Sequence, residues 1–111
     1  MTTQDLDAII QAIKERKSIS FEYNKPDKVE GIRLGNPYVI WNNDDETKKY
    51  LDLHQQSGVS DSVSQNKAEF PHWVTLETDY ISNVTITTDT FIPIESYKRY
   101  SKRFMIANIQ I

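Results

Sequence analysis

Tyr50, Asp52 and His54 stand at i, i+2 and i+4, with Leu51 and Leu53 between them. That alternation is the period of a half-buried strand, so one face packs a core while the other presents a phenol, a carboxylate and an imidazole together. Such a trio suits a small polar ligand, with Tyr50 stacking on it, His54 donating to it and Asp52 orienting it. The same residues also fit a strand of mixed polar exposure that binds nothing. The strand starts at Lys48 and runs through Gln55, Gln56, Ser57, Gly58 and Ser60 into a polar loop.

Metal and enzyme chemistry ask for more than this. Asp52 and His54 point the same way and would share a metal ion, but no third ligand is evident, and a catalytic zinc takes three. His54 and His72 are the only histidines, and there is no cysteine. Disulfides, thiolate nucleophiles and cysteine metal sites are therefore out of reach. Ser57 or Ser60 beside a histidine resembles part of a hydrolase site, yet no nucleophile elbow leads into a helix. The expectation is a protein with no catalytic residue, no cofactor and no metal.

A second candidate lies near the C-terminus, where Tyr97, Tyr100 and Phe104 interleave with Lys98, Arg99, Lys102 and Arg103. On a helix the aromatics share one face and the two i, i+4 basic pairs share another. One reading is a patch that tracks phosphates and stacks bases, with Lys49 assisting. The other is a closing amphipathic element, its aromatics on the core and its cations in water. The formal net charge of −3 argues against a general nucleic-acid binder. The charge is uneven, however, because residues 95–111 hold four cations and one anion while the acidic body carries −6.

The elements that must position these groups are legible in outline. The chain of 111 residues fits one domain. Thr2 and Asp5 form a capping box, and Leu6, Ile9, Ile10 and Ile13 follow at helical spacing, which predicts a helix over about 3–16. Its single apolar stripe must dock on something. Ile19, Phe21 and Tyr23 alternate as a first strand, and residues 24–28 make a turn. Residues 29–41 read as a second strand that Gly35 and Asn36-Pro37 bend. Residues 42–46 form a hairpin turn before the Tyr50 strand. Residues 57–71 read as a long polar loop, the least ordered internal segment. Two more strands over 73–78 and 82–88 are joined by a link short enough for one 3₁₀ turn. A helical turn over 96–103 and a last strand over 104–111 complete the chain. In that last strand Met105, Ala107, Ile109 and Ile111 alternate, a pattern that invites pairing with a second copy as a homodimer. Neither a bilayer-spanning run nor a signal peptide is evident, so the expectation is a cytoplasmic protein.

One helix and five short strands with hairpin links predict a mainly β fold, a small antiparallel barrel of the Src-homology-3-like (Sm-like) kind. Its parts are an N-terminal helix over 1–17, a barrel over 18–88 and a closing extension over 89–111 with a helical turn and a strand. Ile19-Ser20-Phe21-Glu22-Tyr23, Arg33 with Pro37-Tyr38, Lys49-Tyr50-Leu51, Trp73, Asp79-Tyr80-Ile81-Ser82-Asn83-Val84 and Phe91 together resemble a WYL domain. The resemblance covers nearly the whole chain and is nearest the short stand-alone members. It implies a barrel that usually follows a winged helix in bacterial transcription regulators, and a ligand site on the WYL strand and nearby arginines. Arg33, Tyr50 and the loop polar groups Gln56, Ser57 and Ser60 match. Lys49 replaces the family's tryptophan, and Glu77 and Tyr80 stand where cations are common, which predicts weak binding of anions and nucleic acid. The expected function is a non-enzymatic ligand-sensing or regulatory module for a small polar ligand or a protein partner. The alternative is a single-stranded nucleic-acid-binding Sm-like barrel.

Overall fold

The computed structural model describes residues 1–43, 45–94 and 107–110, and these form two α-helices, a 3₁₀ turn and six strands. The order is α1 (Thr3–Glu15), β1 (Lys17–Tyr23), β2 (Ile32–Asn42), β3 (Lys49–Gly58), a short α2 (Asp61–Ser64), β4 (His72–Glu77), a 3₁₀ turn (Thr78–Tyr80), β5 (Ile81–Thr90) and β6 (Ala107–Gln110). The expected helical turn over 96–103 lies outside the described residues.

The fold is mainly β. Five strands pair antiparallel in the order β4-β3-β2-β1-β5, and β6 pairs with β2. The sheet is not closed, since no pairing joins β4 to β5 among the described residues. The bend in β2 organises it. Register shifts fall between Leu34 and Gly35 and between Pro37 and Val39, where glycine and proline predict an interruption. The first half of β2 pairs with β1, as in Phe21↔Arg33, and the second half pairs with β6, as in Ile40↔Ile109. One edge of the C-terminal strand is thus used within the chain, and pairing with a second copy is left only its other edge.

α1 is capped as its sequence requires. The Asp5 N–H donates to Thr2 Oγ1 at 3.0 Å, and Arg16 ends the helix in the left-handed region at φ 56°. The Asp5 carboxylate, expected to complete the cap, instead accepts the Val84 N–H on β5 at 3.1 Å. Ile9, Ala12 and Ile13 are buried against Ile19, Phe21, Leu51, Leu53 and Ile81, while Leu6 and Ile10 pack at the margin. No helix among the described residues is long and apolar enough to cross a membrane.

The stripe therefore centres on Ile9, which is 0 % exposed. Ile9→Ala should cost about 2–5 kcal/mol in urea unfolding, through lost burial and a residual cavity. Ile10→Ala should cost clearly less, and equal losses would mean that the helix is rotated about its axis relative to this packing.

Candidate functional site

β3 carries two polar systems on opposite faces. On one face the predicted trio is embedded in aromatic rings. Tyr50 stacks on Trp41 at 4.7 Å between centroids, and His54 lies against Trp73, also at 4.7 Å. Asp52 between them is only 4 % exposed, and its Oδ1 accepts from Trp41 Nε1 at 3.2 Å and from Thr75 Oγ1 at 2.8 Å. The carboxylate is therefore a cross-strand tie and is not presented to solvent. Gln56 turns back on the same strand, its Nε2 reaching His54 Nδ1 at 3.2 Å and the His54 carbonyl at 3.0 Å.

The other face holds a buried polar hub. Gln55 has the inward parity of Leu51 and Leu53 and is 0 % exposed. Its Nε2 donates to the Ser57 and Val59 carbonyls at 3.0 and 2.8 Å, and its Oε1 accepts from Arg33 Nη1 at 3.3 Å. Arg33, 3 % exposed, also meets Asp61 through Nη2 at 3.5 Å and lies 5.2 Å over the Tyr23 ring. Burial pushes its guanidinium below the ordinary arginine value, and the Asp61 charge opposes that shift. An arginine nonetheless keeps its charge at neutral pH. Gly58 makes the crossing possible. It pairs with Arg33 at φ 95°, and a Cβ there would strike the Ile32 carbonyl.

The segment predicted to be least ordered is tied down at several points. Val59 N–H donates to the Ile32 carbonyl at 3.1 Å, and Asp61 Oδ1 accepts the Val29 N–H at 3.0 Å. Ser60 caps α2 with its hydroxyl on the Val63 N–H, and the same oxygen lies 3.2 Å from His72 Nε2. This Ser–His contact belongs to a helix cap, and Ser60 is buried.

A groove of about 350 Å³ opens beside the hub and runs along β4. Arg33, Tyr50 and Ser60 line it, as do Tyr23, Lys25, Lys28, Asp61 and residues 73–77. Of the predicted ligand-binding residues, the structure thus brings Arg33, Tyr50 and Ser60 together. Asp52, His54, Gln56 and Ser57 do not line the groove, nor does Lys49. Lys98, Arg99, Lys102 and Arg103 lie outside the described residues. Glu77, expected to repel anions, is held by Lys25 at 2.7 Å and Lys48 at 3.8 Å. The hydrogen bond from Lys25 lowers the Glu77 carboxyl below its ordinary value and raises the lysine. Tyr80 stands edge-on to Tyr23 and is not part of the groove wall. Among the described residues, no group of three or more acidic or histidine side chains is placed to hold a metal.

Sequence reasoning missed Lys25 and Lys28, which sit in an ordinary turn; nothing in their spacing says that the turn folds over β4. It also passed over Gln55, although a glutamine at a core-facing parity is a signal of a buried polar partner.

His54 yields a pH prediction. Desolvation first, and then the neighbouring His72, lower its pKa below the ordinary histidine value. The unfolded chain therefore binds a proton more readily than the folded one. The stability tied to neutral His54 is complete above about pH 6.5 and is lost as the pH falls through its lowered value. Urea unfolding should show a smaller loss between about pH 8 and about pH 5.5 for His54→Gln than for the wild type. Identical losses would mean that His54 titrates alike in both states. Comparison of the chain with family models, with characterised proteins and with solved structures finds no match.

Proposed function

We propose that this chain is a non-enzymatic ligand-binding module of the WYL type, serving a regulatory role in the cytoplasm, with the β4 groove as its site. The strand order β4-β3-β2-β1-β5, the single 3₁₀ turn between β4 and β5, and a bent β2 that pairs with β1, β3 and β6 support a Src-homology-3-like arrangement. The resemblance in sequence supports the same assignment.

The observation that carries the reading is Arg33. Its Nε has no hydrogen-bond partner among the described residues, although the residue is buried at a groove wall. A buried donor left unmade costs free energy, and Nε is closed off from water, so an acceptor in the groove gains this bond once the groove wall shifts to admit it. Tyr50 and Tyr23 supply ring surface to the groove, and the volume lies at the small end for ligand sites. With Lys25 and Lys48 neutralising Glu77, the local balance favours an acidic or strongly accepting ligand.

Thermal unfolding with glutarate, inorganic phosphate, a mononucleotide and a short single-stranded oligonucleotide tests this. A compound present at about 100 times its Kd should raise Tm by roughly 10 °C. Arg33→Lys, which keeps the charge but removes the Nε donor, should abolish most of the rise. If none of the four moves Tm, the reading fails. If the oligonucleotide alone does so, with a steep loss on adding salt, the protein is a single-stranded nucleic-acid binder instead.

A further inference from the structure

The two outer edges of the sheet are treated differently. On β5 the Val84 N–H is met by the Asp5 carboxylate, and α1 packs along the strand. On β4 the Glu77 N–H is met by the Tyr23 hydroxyl at 3.1 Å. That bond fixes the orientation of the whole strand. Successive residues turn their backbone groups to opposite sides, and the β3–β4 register runs without a shift from Tyr50↔Glu77 to Gln55↔His72. Thr75, two residues from Glu77, therefore turns its N–H and C=O to the same outer side. Among the described residues β4 pairs with β3 alone, so this is an exposed sheet edge. Such edges are templates for another strand unless they are covered. The groove follows this edge over residues 73–77.

We propose that the groove receives an extended peptide segment with an acidic side chain, which pairs with the outer edge of β4 at Thr75 and directs its carboxylate to Arg33 and Lys28. The proposal rests on the ligand-site reading above and names the ligand's class. Main-chain pairing supplies affinity in this mode, and side-chain pockets supply specificity. The charge supports an acidic residue. Asp61 and Glu77 are already engaged, by Arg33 and by Lys25 and Lys48, whereas Lys28 is in no ion pair among the described residues. A polyanion fits less well, because the Thr75 carbonyl and two carboxylates line its path. A peptide brings an N–H for that carbonyl.

Isotope-labelled protein is titrated with a blocked hexapeptide, Thr-Val-Glu-Val-Thr-Val, with its Gln-for-Glu analogue, with a version N-methylated at alternate amides, and with glutarate. The hexapeptide should bind and slow hydrogen exchange at the Thr75 amide by about tenfold or more. N-methylation should abolish binding, and the Gln analogue should weaken it. Lys28→Glu, at an exposed turn, should leave the fold unchanged and weaken the acidic peptide by about fivefold. Binding that survives N-methylation, or that leaves Thr75 exchange unchanged, overturns strand pairing. If glutarate binds at Arg33 and the hexapeptide does not, the peptide proposal falls and the ligand site stands. If neither binds, both fall.

Discussion

A guanidinium with almost no access to water is the constraint around which the rest of this small protein is arranged. Burying a charge is costly unless it is paired and hydrogen-bonded. Arg33 recruits its partners from across the chain, with Gln55 from β3, Asp61 from α2 and the Tyr23 ring from β1. Each partner is engaged in turn. Gln55 holds the Ser57 and Val59 carbonyls, and Asp61 holds the Val29 N–H. One cation thus fastens the β1–β2 connection and the β3–β4 connection to the same point. Nε is the guanidinium nitrogen without a hydrogen-bond partner among the described residues, and there the hub remains incomplete.

The opposite face of β3 explains why the groove keeps its shape. Trp41 stacks on Tyr50, and a second group runs from His54 through Trp73 and Tyr38 to Phe91. Asp52 ties Trp41 on β2 to Thr75 on β4. β4 is consequently held by rings and by a buried carboxylate on one side, leaving its outer edge for the groove. Of the trio that suits a small polar ligand, Asp52 and His54 contact the neighbouring strands, and Tyr50 alone also lines the groove.

The sequence made the elements legible because their signals are local. The helical spacing of Leu6, Ile9 and Ile13, the alternation around Phe21 and Leu51, the break at Gly35 and Pro37, and the short link before Ile81 each depend on neighbours in the chain. The site was legible only in part. Parity placed Tyr50, Asp52 and His54 on one face correctly, but whether that face meets solvent depends on Trp41 and Trp73, which come from two other strands. Arg33, Tyr50 and Ser60 meet at one groove because Gly58 lets β3 cross close to β2 and because α2 turns Asp61 inward. Those are long-range events with no periodicity to read. The polar composition of residues 57–71 suggested looseness, since composition does not reveal that Gln55 and Arg33 are waiting to bind that segment's backbone and side chains.

The Nε–H resonance of Arg33 tests the central claim most directly. In the free protein it should exchange slowly with solvent and lie at a proton shift typical of an Nε–H without an acceptor. Adding glutarate should move it downfield and slow its exchange further, with smaller changes at the Lys28 and Tyr50 resonances. A resonance that exchanges rapidly, or that already lies downfield in the free protein and ignores glutarate, would contradict the account.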